Sequence, residues 1–209
     1  MTTLAVIAKS PAPGRVKTRL CPPCTPQQAA GLAEAALRDT LAAMAAVAGP
    51  RRAVVLDGPV GAWLGDEHVV AQRGGGLDER LAAALHDLGG PALIVGMDTP
   101  QVTPGQLRRA LRALDRTGAV LGPASDGGYW CIGLREPDPR LLLGVPMSAA
   151  HTLDAQRRRL RAHGVGFAEV DELLDVDTIA DARAVAAQAP HTRFARALGL
   201  VDRGDRRAA

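Results

Sequence analysis

The chain has 209 residues, a net charge of +3 and 47% hydrophobic residues, which suffices for one well-buried core, and no shift in composition separates two domains. Aromatic residues make up only 2% of the chain, so base-stacking nucleic-acid modules are excluded and a core of Ala, Val, Leu and Ile is expected. No apolar run is long enough to span a bilayer, and we expect a cytoplasmic monomer or homodimer with no membrane or nucleic-acid partner.

Apolar runs with strand character alternate with amphipathic stretches along most of the chain. Strands are predicted at residues 4–8, 53–56, 68–71, 92–95, 119–121, 129–134 and 166–170. Helices are predicted at residues 26–47, 77–88, 104–116, 150–163 and 179–187, the first and third of them opened by a Thr-Pro pair. This order predicts an α/β fold with three α/β/α layers around a mostly parallel, mixed sheet. Residues 1–201 should form a single domain and residues 202–209 a flexible tail.

The loop after the first predicted strand, from Ala8 to Leu20, is the first candidate site, because ligands bind such sheets where the strands end. It contains the only two lysines of the chain, Lys9 and Lys17, together with Gly14, Arg15 and Arg19. It matches neither the G-x-G-x-x-G nor the G-x-x-x-x-G-K-[ST] pattern. We predict a phosphate-binding loop in which Arg15 and Lys17 stabilise transition-state charge, the alternative being a solvated loop.

The same region contains a C-x-x-C pair, Cys21 and Cys24. No second pair of ligands stands at a suitable spacing, so a structural role is favoured over a zinc or redox site.

A second candidate loop, residues 74–80, combines three glycines with Arg80. Arg80 could reach a phosphate or a base of a bound nucleotide. On its own this pattern is a weak indication.

Asp98 ends the fourth predicted strand and is followed by Thr-Pro, which stops the strand. A carboxylate at this position is suited to Mg²⁺, or Mn²⁺, which prefer oxygen ligands and also contact substrate phosphates. The alternative is an aspartate that caps a helix or a turn.

Glycines and a tyrosine surround Asp126 before the sixth predicted strand. Gly127 and Gly128 would let the backbone approach a ligand, and Tyr129, with Trp130, could line an acceptor pocket. The alternative is a tight turn into the strand.

Two further carboxylates, Asp175 and Asp177, stand two residues apart in an extended segment and therefore face the same side. Both could bind the metal ion. Asp177 could equally cap the helix that begins near Ile179, and the two roles can coexist.

Four motifs together resemble the nucleotide-diphospho-sugar transferase superfamily, which has the GT-A, Rossmann-like fold. They are A-K-x-P-x-P-G-x-V-K-T-R-L, G-x-D-x-P, G-P-A-x-D-G-G-Y-x-x-I-G-L and D-V-D-T, and they cover nearly the whole chain. The chain is similar to a bacterial family of predicted glycosyltransferases that accompany arsenosugar-linked radical-SAM proteins. Its layout also resembles 2-phospho-lactate guanylyltransferase and, more distantly, molybdenum-cofactor guanylyltransferase.

The resemblance implies phosphate contacts at Arg15, Lys17 and Arg19, and metal ligation by Asp98 and by Asp175 or Asp177. The chain departs from the family at two places. It has Met147-Ser148-Ala149 where the family usually has Trp-Ser-Thr, and Gly75-Gly76-Leu77-Asp78 where it usually has Gly-Asp-Leu-Gly. Both departures bear on the specificity for the acceptor and for the base of the nucleotide.

Three functions are compatible with these features. The first is a nucleotidyltransferase that joins a nucleoside monophosphate from a triphosphate to a small phosphorylated or acidic acceptor and releases pyrophosphate. The second is a glycosyltransferase that uses a nucleoside-diphosphate sugar, and the third is a nucleotide-binding protein without turnover. The basic first loop favours nucleotidyl transfer, because a leaving pyrophosphate requires more cationic stabilisation.

Overall fold

A computed structural model describes the backbone of residues 1–208 and the side chains of residues 1–203. The strands are β1 (Thr3–Lys9), β2 (Arg51–Asp57), β3 (His68–Ala71), β4 (Ala92–Gly96), β5 (Ala119–Pro123), β6 (Tyr129–Leu134) and β7 (Phe167–Glu169). The helices are α1 (Pro26–Ala45), α2 (Leu77–Leu88), α3 (Pro104–Arg116), α4 (Thr152–Ala162), α5 (Ile179–Gln188) and α6 (Arg193–Ala208).

The strands form one mixed sheet in the order β3-β2-β1-β4-β6-β5-β7. β1 pairs in parallel with β2 and β4, β2 with β3, and β5 with β7, whereas β6 runs antiparallel to β4 and β5. The mostly parallel, mixed sheet predicted from the sequence is thus confirmed. Because β6 is reversed, its amino end lies at the edge of the sheet where β1 and β4 have their carboxyl ends.

Helices cover both faces of the sheet, which gives the three predicted layers. One face packs against α1 and α3, with Val6 and Val95 in the core, and the other against α2 and α4, with Ala5 and Ile94. Neighbouring residues of a strand thus serve opposite faces, as the pleat requires. A third apolar cluster joins α1 to α5 and α6.

Helix α6 was not predicted from the sequence, and it includes most of the expected tail. Its first turn is capped by Asp39 of α1, whose carboxylate oxygens accept hydrogen bonds from the backbone N–H groups of Arg193 (3.1 Å) and Phe194 (2.9 Å). Asp39 lies 154 positions away and leaves no local pattern in the sequence. The helix also has a local cap that was missed, Thr192, whose hydroxyl accepts from the backbone N–H of Ala195 at 3.1 Å. The flexibility of residues 202–209 stays a prediction, and Ala209 lies outside the described residues.

The state of the cysteines and the hydropathy of the helices bear on two further expectations from the sequence. Cys21, Cys24 and Cys131 form no disulfide bond within the described residues, and Cys24 packs in the cluster that joins α1 to α5 and α6. In the portion of the chain that the structure describes, none of the helices has the length and hydropathy needed to cross a bilayer.

Candidate active site

A cavity of about 810 Å³ opens at the carboxyl edge of the sheet, between the loop after β1, helix α2 and the loops that flank β6. Its lining contains the following residues predicted from the sequence: Ala8, Lys9, Arg15, Lys17, Arg19, Arg80, Asp98, Asp126, Gly128, Tyr129, Asp175 and Asp177. Gly14 and Gly127 do not line it. The antiparallel direction of β6 explains how a loop that precedes a strand reaches the same edge as loops that follow strands.

Lys17 connects three of the loops around this cavity. Its ammonium lies 2.5 Å from Oδ1 of Asp98 and also donates to the backbone carbonyl of Val176. The Lys17 side chain is only 9% exposed, whereas Asp98 is 45% exposed. An ammonium has three protons to donate, and these two contacts use two of them. The third is available to a ligand in the cavity.

Backbone contacts hold the Asp98 loop against the segment that carries Asp175 and Asp177. The N–H of Val176 donates to the carbonyl of Asp98 at 2.9 Å, and Nε2 of Gln101 donates to the carbonyl of Leu174 at 2.6 Å. The two acidic segments, although 77 residues apart in sequence, are therefore fixed beside one another.

Three carboxylates at the cavity wall form a compact cluster that we call the acidic group. Asp126, Asp175 and Asp177 each place an oxygen within 4.8 Å of the others. Asp126, which the sequence assigned to acceptor binding, thus joins the predicted metal ligands. Asp98 is not part of this group, and its carboxylate pairs with Lys17 instead. The direction of β6 could not be predicted from the sequence, so the proximity of Asp126 to Asp175 and Asp177 was missed.

The carboxylates of this group repel one another. Burial raises the pKa of Asp175 to about 6, and the negative charges of Asp126, Asp177 and Asp98 add to the effect. Three closely spaced carboxylates, whose charge is only partly balanced by the ion pair of Asp177 with Arg19, fit a hard divalent cation such as Mg²⁺ or Mn²⁺, which oxygen ligands bind best.

Asp177 belongs to the site and does not cap the following helix. Its Oδ2 accepts from Nη1 of Arg19 at 2.8 Å, which joins the basic loop to the acidic group. The cap of α5 is Thr178, whose side chain accepts from the backbone N–H of Asp181. The predicted capping role of Asp177 was therefore wrong.

Arg80 lies at the opposite end of the cavity, near β2 and β3. Its Nη1 lies 2.9 Å from Oδ2 of Asp57 and 3.3 Å from Oε1 of Gln72. Gln72 in turn donates from Nε2 to the backbone carbonyls of Ala8 (2.8 Å) and Val55 (3.1 Å). Gln72 lines the cavity but was not predicted, since a lone glutamine after a short strand carries no recognisable signal.

The loops on either side of β6 form a preformed wall. Gly127 has a φ of +86°, and a Cβ at this position would lie 2.1 Å from the carbonyl oxygen of Ala150, so only glycine fits. The hydroxyl of Tyr129 contacts the sulfur of Met147 at 3.6 Å. Trp130 lines the cavity as expected, although its indole donates to the carbonyl of Asp171 and packs in the core on the opposite face.

Comparisons with known proteins support a common ancestry. Residues 28–149 match the model of a family described as "Uncharacterized protein conserved in bacteria (DUF2064)". The 2-phospho-L-lactate guanylyltransferase of Haloferax volcanii is 33% identical over 169 residues, which cover 79% of this chain and 76% of that protein.

Solved structures extend the likeness to the whole fold. A protein of Desulfovibrio desulfuricans G20, assigned as a nucleotide-diphospho-sugar transferase, has a TM-score of 0.85 and 26% identity, over 98% of this chain and 95% of that one. CMP:2-keto-3-deoxy-manno-octonic acid synthetase, solved with CTP, has a TM-score of 0.61 and 15% identity over 91% and 98%. A Mycobacterium tuberculosis H37Rv protein solved with manganese has a TM-score of 0.54 and 20% identity over 88% and 96%. The last two likenesses concern the fold alone.

Proposed function

We propose that this protein, a transferase of the DUF2064 family of proteins conserved in bacteria, transfers a nucleoside monophosphate from a nucleoside triphosphate to a small acceptor. One observation carries the proposal. The basic loop after β1 and the carboxylates from three distant segments line a single cavity. A bound polyphosphate with a divalent cation is the ligand that brings such opposite charges together.

The basic loop would hold the triphosphate. The free proton of the Lys17 ammonium donates to a phosphate oxygen, while Asp98 and the carbonyl of Val176 keep the ammonium in place. Arg15 and Arg19 are more exposed and surround the same opening. Fixed donors of this kind stabilise charge that develops during phosphoryl chemistry, because they need no reorganisation when the reaction occurs.

The reaction forms one bond and breaks another. An acceptor oxyanion attacks the α-phosphorus, the bond from that phosphorus to the oxygen bridging to the β-phosphate breaks, and pyrophosphate leaves with the electron pair. Asp126, Asp175 and Asp177 would hold Mg²⁺ or Mn²⁺, which neutralises phosphate charge when bound. Lys17 offsets the charge that accumulates on the leaving oxygen.

The donor and the acceptor can be ranked for testing. GTP is the first donor to test, because the Haloferax volcanii relative is a guanylyltransferase. A phosphorylated or acidic acceptor supplies the oxyanion without a base. The test is pyrophosphate release from each of the four triphosphates with Mg²⁺ or Mn²⁺ and a panel of phosphorylated acceptors. We expect release that requires protein, metal and acceptor together.

Glycosyl transfer is the second candidate, favoured by the Desulfovibrio desulfuricans likeness. It predicts release of a nucleoside diphosphate from a nucleotide sugar, with no pyrophosphate from any triphosphate. A nucleotide-binding protein without turnover predicts neither product, together with nucleotide affinity that does not depend on metal.

A further inference from the structure

The charges that line the cavity are unevenly distributed. Its basic residues are Lys9 at the end of β1, Arg15, Lys17 and Arg19 in the loop that follows, and Arg80 in the first turn of α2. The charge of Arg80 is paired with Asp57. The opposite side of the cavity, where an acceptor would enter, is formed by residues 126–129 and 147–150, which we call the acceptor wall.

The acceptor wall offers no positive charge to an acceptor. Neither of its two segments contains Lys, Arg or His, and His151, next in sequence, is exposed and does not line the cavity. The charged groups near it are acidic, Asp126 within the wall and Asp78 of α2. Burial, with the charge of Asp78 adding to it, raises the pKa of Tyr129, so its phenol stays neutral.

The backbone N–H groups at the start of α4 cannot compensate for this absence. A helix N-terminus attracts anions through its free N–H groups. Here the N–H of Thr152 donates to the carbonyl of Ala149 at 2.9 Å, and that of Leu153 donates to the carbonyl of Gly127 at 2.8 Å. Both groups are already bonded within the wall.

The surface of the wall is instead largely apolar. Tyr129 and Met147 contact each other and pack against the core beneath α2 and α4. Ser148, Ala149 and Ala150 complete the lining next to them, and the hydroxyl of Ser148 adds a neutral hydrogen-bonding group. This surface suits a small hydrocarbon group and offers no cationic side chain to a second negatively charged group of an acceptor, which is costly for a charge removed from water.

We propose that the acceptor is a phosphomonoester of a small uncharged alcohol, with its phosphate beside the cation that Asp126, Asp175 and Asp177 would hold and its apolar body on the acceptor wall. The proposal rests on the nucleotidyl transfer proposed above. It separates this chain from its Haloferax volcanii relative, whose named acceptor, 2-phospho-L-lactate, carries a carboxylate beside its phosphate.

Two compounds of nearly equal shape test the proposal. Isopropyl phosphate and 2-phospho-L-lactate differ only in a methyl group that replaces the carboxylate. Each is titrated calorimetrically into the full chain with Mn²⁺ and a saturating α,β-methylene analogue of GTP. We expect isopropyl phosphate to bind at least tenfold more tightly. Equal affinity, tighter binding of 2-phospho-L-lactate, or binding of neither compound overturns the proposal.

A positive charge placed on the wall should reduce the preference for isopropyl phosphate. Ala150→Lys adds an ammonium at an exposed position of the wall and should improve the affinity for 2-phospho-L-lactate relative to isopropyl phosphate at least tenfold. Leu143→Lys, an exposed position outside the cavity lining, is the matched control and should leave the ratio unchanged. An identical ratio in both variants would count against the wall as the acceptor site.

Pyrophosphate release from GTP with the same two compounds separates this proposal from the proposed function. Selective binding of isopropyl phosphate without release would contradict nucleotidyl transfer and leave the selectivity of the wall intact. Release with 2-phospho-L-lactate in preference would support nucleotidyl transfer and overturn the uncharged acceptor.

Discussion

Lys17 and Asp98 form the central ion pair of the cavity, and the partners of each define its role. The ammonium is almost fully buried and has two oxygen partners, so its position is fixed before a ligand arrives. Asp98 holds Lys17 in place, and we propose the adjacent group of Asp126, Asp175 and Asp177 as the cation ligands. The predicted roles of these residues in catalysis and ligand binding remain to be tested by substitution.

Replacing Lys17 should separate catalysis from folding. Lys17→Met keeps the length of the side chain and removes its charge, so kcat for pyrophosphate release should fall by on the order of 10²-fold. The thermal midpoint should change much less than activity. Arg116→Met, an exposed position at the end of α3, removes a cation elsewhere and should leave kcat unchanged. An unaltered kcat in Lys17→Met would remove this residue from the mechanism.

Asp175 should make stability depend on pH. Its carboxyl ionises near 3.8 in the unfolded chain and near 6 in the native protein, so the native state binds more protons between these values. The free energy of unfolding therefore falls as the pH rises through this window. This penalty, which comes from the ionised Asp175, is complete above about pH 6. Asp175→Asn removes it and should be more stable than the parent at pH 7 by roughly 1 kcal/mol after solvent screening, and similar at pH 4.

Thermal unfolding at several pH values, without metal, measures this difference. Asp66→Asn, on an exposed loop, is the control and should run parallel to the parent. Mn²⁺ should raise the midpoint of the parent more than that of Asp175→Asn, since the cation stabilises the ionised group. Equal pH profiles for the parent and Asp175→Asn would contradict the burial and charge repulsion that raise the pKa of Asp175.

Among the elements, those with local signals were predicted and those fixed by distant contacts were not. Helices α1 and α3 begin at Thr-Pro pairs whose threonines form capping boxes, as expected from the sequence. Helix α6 depends on a distant cap, Asp39 of α1, in addition to its own Thr192. The direction of β6 likewise depends on the pairing of strands, and it decides that Asp126 lies beside Asp175 and Asp177.

Asp39 should therefore matter for stability far more than its position on α1 suggests. It is 8% exposed and accepts from two backbone N–H groups at the start of α6. Asp39→Ala leaves those groups without a partner and should cost about 1–2 kcal/mol in urea unfolding. Glu34→Ala removes an exposed ion pair with Arg38 on the same helix and should cost less than about 0.5 kcal/mol. Equal losses would show that the Asp39 cap does not stabilise α6.

Across the whole molecule, the sheet topology turns separate stretches of sequence into one site. The sequence indicated the basic loop and the aspartates because their residue types and positions after strands are informative. It could not indicate Gln72 or the wall that Gly127 and Ala150 build, since both depend on contacts between distant segments. The distances within the cavity likewise follow only from the packed sheet.

The central claim is that the basic loop and the acidic group bind one polyphosphate together with a divalent cation. Anomalous diffraction from crystals of the full chain grown with Mn²⁺ and α,β-methylene GTP tests it most directly. We predict a manganese peak bonded to oxygens of Asp175 and Asp177 and to the triphosphate, with Lys17 donating to a phosphate oxygen. A nucleotide bound outside this cavity, or manganese bound away from these aspartates, would contradict it.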